Sequence, residues 1–170
     1  MGTNMIYSTG DWVVHSYYGV GQIRRIEVKP IHGEETKCFK VRTKDSTYWF
    51  PTSDQDNPRI RPVATKEIIE KVVKNLKRKS SILDTDRKYW KTRIEDVQTN
   101  GDLLEISKLV RDLSTQQVLR DLNQTEEKAL EHFKEQILRE WASCTREEVN
   151  EIRPILNECI QLSKSKINVD

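Results

Sequence analysis

The sequence predicts an α+β chain in two segregated parts: a small, strongly bent antiparallel β-sheet or barrel, then an all-helical half of about five helices. Three observations lead there. Every glycine and proline of the 170 residues except Gly101 and Pro154 falls within positions 1–63. The apolar period changes after Val63 from that of strands to that of helices. Helix-capping signals recur only beyond that point. A β-then-α order of this kind argues for two domains rather than one α/β sheet, and we place them at 6–63 and 64–170.

Within the first part, apolar residues come in short runs bounded by turn signals: Asp11–His15, Gly19–Val28, Thr36–Arg42 and Thr47–Pro51. Cys38, Lys40 and Arg42 alternate cleanly against Phe39 and Val41, while the alternation around Val20–Ile26 is loose. The pattern predicts four or five short strands. Tyr17-Tyr18-Gly19 and Ile31-His32-Gly33-Glu34 put glycine where a hairpin needs positive φ, and Lys44-Asp45-Ser46 supplies a polar tip.

From Thr65, a plausible N-cap, Ile68, Ile69, Val72, Val73 and Leu76 form one apolar stripe. After a loop from Lys79 to Thr85, Asp86–Thr99 reads as a second helix with Trp90, Ile94 and Val97 inward, stopped by Asn100-Gly101. Asp102 caps a third, with Leu103, Ile106, Leu109, Val110 and Leu113 inward. Asn123 with Glu126 resembles a capping box opening a fourth, whose stripe is Ala129, Leu130, Phe133, Ile137 and Leu138. Thr145 with Glu148 repeats that signal before Val149, Ile152, Ile155, Leu156 and Ile160, and Pro154 inside this fifth pattern predicts a kink or break.

Composition excludes several classes of function. Charged residues are 33 % of the chain and apolar ones 35 %, a polar but foldable balance with a mean hydropathy of −0.74. No apolar run approaches the roughly 18 residues of a membrane span, and the N-terminus has no secretory pattern, so a cytoplasmic protein is expected. Cys38, Cys144 and Cys159 are an odd set without close spacing, and the three histidines are scattered, which predicts neither a disulfide framework nor a metal site. The net charge of +2 hides a dense segment, 66–93, with ten basic residues against four acidic ones. An excess of that size is either a footprint for a polyanion or a solvated helix face.

No phosphate-binding glycine loop and no nucleophile elbow is present; Gly19-Val20-Gly21 suits a hairpin bend better than a phosphate cradle. Cys38 lies in an alternating strand and His32 in a turn, a poor nucleophile–base pair. The sequence therefore predicts no enzyme, no cofactor and no small-molecule substrate. Aromatic residues are more informative. Tyr48 and Phe50 share one strand face and Trp49 takes the other, so aromatic surface is left outside the core, as suits a protein-binding hot spot. Trp90 is either a core anchor, as Ile94 and Val97 one and two turns on suggest, or a residue that stacks on or wedges between bases.

Taken together, these residues resemble the CarD/CdnL/TRCF family of bacterial transcription regulators. Gly10-Asp11-Trp12-Val13-Val14-His15 through Tyr18-Gly19-Val20-Gly21 is similar to its G-D-x-V-V-Y-P-x-H-G-x-G signature, Ile31-His32-Gly33-Glu34 to its hairpin turn, Phe50-Pro51 to its V-P ending and Ile60-Arg61-Pro62-Val63 to its domain exit. Asn100-Gly101-Asp102 with Leu109-Val110-Arg111-Asp112-Leu113 resembles the S-G-D and V-V-R-D-L segment, and Leu122-Asn123 with Glu126 resembles L-S-x-x-E. The ordered match covers roughly 6–140.

The resemblance implies a Tudor-like bent β-barrel that docks on the RNA polymerase β subunit, and a helical domain that contacts promoter DNA at the upstream edge of the melted region and stabilises the open complex, without catalysis. It implies Lys29, Tyr48, Trp49 and Pro51 for polymerase binding, where the family often carries arginine at the positions of Lys29 and Trp49. For DNA it implies Arg87, Lys88, Trp90 and Lys91. The family's wedging tryptophan lies fourteen residues before the S-G-D glycine, a count that lands here on Arg87, with Trp90 one helical turn later. The basic residues usual after V-V-R-D-L are here Ser114-Thr115-Gln116-Gln117, and a usual lysine is Glu127. Expected partners are thus polymerase and promoter DNA, with no membrane, for a monomer associated with the nucleoid. The alternative is a protein–protein adaptor that binds polymerase or another partner without wedging into DNA.

Overall fold

The computed structural model describes residues 6–83, 86–100 and 102–167. The chain divides into two compact units, with the boundary between Val63 and Ala64.

The first unit is one antiparallel sheet of β1 (Trp12–His15), β2 (Gly19–Ile31), β3 (Glu34–Thr43), β4 (Thr47–Pro51) and β5 (Ile60–Pro62), in the order β4-β3-β2-β1-β5. Val13, Ile23, Phe39, Val41, Tyr48, Phe50 and Ile60 point into its core. The edges β4 and β5 are bridged by side chains, giving the bent, Tudor-like form. Tyr7 donates its hydroxyl to the Ile60 carbonyl at 3.4 Å and sets its ring edge-on against Phe50, 5.9 Å between centroids. A register shift between Ile23 and Arg25 leaves Arg24 as an extra residue, which bends β2. At Gly21 the strands come so close that a Cβ would lie 2.8 Å from Val41 Cγ1 and 3.0 Å from the Arg42 carbonyl oxygen.

The strands are not all short. β2 and β3 form a ribbon of 13 and 10 residues, closed by His32 and Gly33 at φ 51° and 82°, the two left-handed residues of a tight hairpin. Pro30 does not end β2. The closing pair Ile31–Glu34 is hydrogen-bonded in such a hairpin, so the next pair, Pro30–Glu35, is one whose N–H groups face away from each other, and proline removes no ladder bond there.

The second unit holds α1 (Lys66–Lys77), α2 (Arg87–Asn100), α3 (Leu103–Leu119), α4 (Gln124–Thr145) and α5 (Val149–Ser165). Side chains cap the starts of α1 to α4. Thr65 accepts from the Ile68 N–H, Asp86 from that of Tyr89, and Asp102 from those of Leu104 and Glu105. Asn123 and Glu126 cap each other's backbone reciprocally. α3 is the central helix, packed against α1, α2, α4 and α5, and its polar Ser107, Asp112, Ser114, Thr115 and Gln116 are buried with its apolar stripe.

Three expectations about α5 need correction. Thr145 is the last residue of α4, where its hydroxyl donates to the Trp141 carbonyl, and a left-handed Arg146 makes the turn. The N-cap of α5 is Glu148, without a side-chain cap. Ile155 is 44 % exposed, and Cys159 takes an inward position instead. α5 continues through Pro154, so the helix does not break there, although the ring removes the bond its N–H would give the Asn150 carbonyl. Thr85 and Gly101 lie outside the described residues.

Candidate functional site

On the outer face of the sheet, register brings together residues far apart in sequence. Arg25, Lys40 and Trp49 stand opposite one another across β2, β3 and β4, and Glu27, Cys38 and Pro51 form the next row. Trp49 is 39 % exposed. Its Nε1–H donates to Glu27 Oε2 at 2.9 Å, and Lys29 Nζ sits 4.4 Å from the centre of its ring, a cation–π contact. Lys29 and Trp49 therefore touch, as two parts of one platform.

Glu27 is the hub of that platform, and nothing in the sequence singled it out. Besides the indole it pairs with Arg25 at 2.5 Å, Lys40 at 3.5 Å and Lys29 at 3.8 Å. The hydrogen bonds from Trp49 and Arg25, with the charges of Arg25 and Lys40, hold its carboxyl down at about 2, so it stays ionised throughout the physiological range. The one available signal was the alternation that puts Arg25, Glu27 and Lys29 on a common face; that Lys40 and Trp49 join them depends on register.

The platform borders an open sheet edge. β4 hydrogen-bonds to β3 alone among the described strands. Thr52 donates to the Lys37 carbonyl at 2.9 Å and Thr43 to that of Ser46 at 2.8 Å, which fixes the phase of the ladder: Tyr48 and Phe50 bond to β3, whereas Thr47 and Trp49 aim their N–H and C=O groups outward. Pro51, half-buried, offers neither group there, since it has no N–H and its carbonyl accepts the Asp54 N–H at 2.9 Å. Tyr48 is corrected as a contact residue. It is 7 % exposed, its ring stacks on that of Tyr18 at 4.9 Å, its hydroxyl has no hydrogen-bond partner among the described residues, and burial pushes the phenol up.

In the helical unit, Arg87, Lys88 and Lys91 are exposed on α2. Trp90 is not available. It is 0 % exposed beside Ile94 and Val97, its Nε1–H has no hydrogen-bond partner among the described residues, and it is corrected from a candidate DNA contact to a core residue. The exposed aromatic ring beside it is Tyr89, which packs edge-on against Trp90 at 5.1 Å. Arg93 belongs to the interior too: it pairs with the fully buried Asp112 at 2.7 Å, and Arg111 pairs with the same carboxylate at 2.8 Å. Burial alone would raise the Asp112 carboxyl, but hydrogen bonds from Arg111, Ser80 and Arg93 outweigh it and hold it below the usual range. Of the other basic residues of the dense segment, Lys66, Lys71, Lys74 and Lys77 lie on α1, which leans on α3 and α5, and Arg78 and Lys79 follow its end, whereas α2 leans on α3 and α4.

Nucleophilic and metal chemistry find no support among the described residues. Burial pushes the Cys38 thiol up, the reverse of what a nucleophile needs, and no cluster of three His, Cys, Asp or Glu side chains could hold a metal ion. No described helix is long and apolar enough to cross a membrane.

Comparison with known proteins agrees with this two-part arrangement. Residues 7–64 match the model of the CarD-like/TRCF RID domain, and residues 71–157 match that of the CarD C-terminal domain. A protein of Bacillus subtilis (strain 168) named "Putative transcription factor YdeB" is 27 % identical over 139 residues, covering 79 % of this chain and 90 % of that protein. With both halves matched in order over most of its length, the chain belongs to the CarD-like family of bacterial transcription regulators.

Proposed function

We propose that this regulator binds the β subunit of RNA polymerase through its first unit, contacts promoter DNA at the upstream edge of the melted region through its second, and stabilises the open complex without catalysing a reaction. The observation that carries the reading is the Trp49–Lys29 platform beside the open β4 edge. A strand of the polymerase extends the sheet by pairing with the outward backbone groups of Thr47 and Trp49, while Trp49 supplies the central anchor. Arg87, Lys88 and Lys91 are the DNA-facing cations, drawing on phosphate charge rather than on an inserted ring. The test is binding of the full chain to core polymerase, followed by promoter-duplex binding over a salt series. Replacing Arg87 with Ala lowers the salt slope by about 1 if it contacts one phosphate; binding that ignores salt refutes the DNA half.

A second reading is favoured by one observation, the complete burial of Trp90. With no ring to wedge into DNA, the protein acts as an adaptor that binds polymerase through the same platform and leaves open-complex lifetime unchanged. Lifetime measured with wild type and with the Arg87 variant separates the two readings.

A further inference from the structure

Resting on the docking reading above, we propose that Glu27 is the positioning residue of that surface: its carboxylate fixes the Trp49 indole beside the β4 edge and sets Lys29 against the ring, so that a docking strand meets a preformed anchor. The two carboxylate oxygens divide the task. Oε2 takes the indole N–H at 2.9 Å and faces Lys29 at 3.8 Å, whereas Oε1 takes Arg25 at 2.5 Å and faces Lys40 at 3.5 Å. Glu27 thus reaches the anchor and the cations on both sides of it from a strand two places away in the sheet.

Apart from the cation–π contacts of Lys29 and Lys40, that carboxylate is what fixes the ring. Trp49 lies on the outer face, away from the core formed by Tyr48 and Phe50, and its only hydrogen-bond partner among the described residues is Glu27. Lys29, Lys40 and Arg25 are like charges drawn round one carboxylate and would spread apart in its absence. An anchor fixed before binding loses less freedom on docking, and that saving appears as affinity. Glu27 need not touch the partner, since its effect passes through Trp49.

The test uses the full chain and purified core RNA polymerase from the same bacterium, with E27A, E27Q, W49F, W49A and the double variant E27A/W49F. Glutamine keeps an oxygen for the indole and loses the charge. E27A weakens binding about tenfold, as expected for releasing one anchor side chain and its neighbouring lysine, and E27Q, which keeps the acceptor for the indole but loses the charge that gathers the cations, loses clearly less than E27A. W49F, which lacks the indole N–H, weakens binding to a similar degree, and adding E27A to it causes little further loss. The near-UV circular dichroism assigned to Trp49 by difference from W49F collapses in E27A and persists in E27Q. Equal losses in E27Q and E27A, or additive losses in the double variant, overturn the assignment in favour of a purely electrostatic role. If W49A binds like wild type, the docking reading itself fails; if W49A binds weakly and E27A normally, only the role of Glu27 fails. Should E27A not fold, the comparison of E27Q with W49F by affinity and by the Trp49 band still decides.

Discussion

Replacing Trp90 with alanine separates a core role from a DNA-wedging one, because the two roles predict opposite failures. The side chain is 0 % exposed between α2 and the central α3. Truncating a buried tryptophan costs about 3–5 kcal/mol through lost transfer energy and the cavity left behind. Part of that is offset here, because the indole Nε1–H is buried without a partner among the described residues and removing an unsatisfied donor returns about 1–3 kcal/mol. A net loss centred on about 2 kcal/mol follows. Phenylalanine at the same place leaves a smaller cavity and also removes the orphan donor, so Trp90→Phe costs about 1 kcal/mol or less. Urea unfolding followed by far-UV circular dichroism reads both, since the helices of the second unit dominate that signal. Promoter binding by the folded Trp90→Phe variant is expected to equal wild type. The core assignment is refuted if Trp90→Ala loses under about 1 kcal/mol, or if Trp90→Phe is stable yet has lost DNA binding.

Other expectations follow from single contacts. Asp112→Ala strands Arg93 and Arg111 in the interior and should cost about 3 kcal/mol or more in urea unfolding. Because the folded carboxyl lies below its unfolded value, its contribution is complete above the unfolded pKa and is lost as pH falls through the folded one, so the stability difference between wild type and Asp112→Asn should shrink on strong acidification. Gly21→Ala drives a methyl group into Val41 and the Arg42 carbonyl, and thermal unfolding of the first unit should show a loss of about 1–3 kcal/mol. Burial and the nearby Arg59 lower the basicity of His15, whose Nδ1 accepts the N–H groups of Tyr17 and Tyr18 at 2.9 and 3.2 Å. The unfolded chain then binds more protons, so the first unit loses stability as pH drops below about 6.5, and His15→Asn, which keeps an acceptor, should flatten that dependence in pH-resolved melting.

The helices were legible because their signals are local. Thr65, Asp102 and Asn123 lie within three residues of the N–H groups they cap, and the stripes of α1 to α4 repeat at helical spacing. Where two local signals competed the reading failed: Thr145 has a capping side chain, but α4 uses its hydroxyl to bond back to Trp141. The length of β2 was hidden by Pro30, whose acceptability depends on which face of the ladder its nitrogen meets. At the Trp49 platform, alternation put Tyr48 with Phe50 and Trp49 opposite, and the burial of Tyr48 follows that alternation rather than the motif that placed it in the site. Glu27 could not be read because its importance comes from register, which brings β2, β3 and β4 side by side. The dense basic segment was overcounted for a related reason, since the acid that neutralises Arg93 is nineteen positions further along the chain.

The most direct test of the account is the affinity of the full chain for core RNA polymerase when the anchor and the edge are altered separately. Trp49→Ala removes the exposed ring, and Thr47→Pro removes an outward N–H at the first residue of an edge strand, where proline breaks no bond to β3. Loss of a hot-spot side chain predicts a weakening of about thirtyfold for Trp49→Ala, with a smaller but clear loss for Thr47→Pro, while both variants melt near wild type. Wild-type affinity in both variants would contradict docking through this edge.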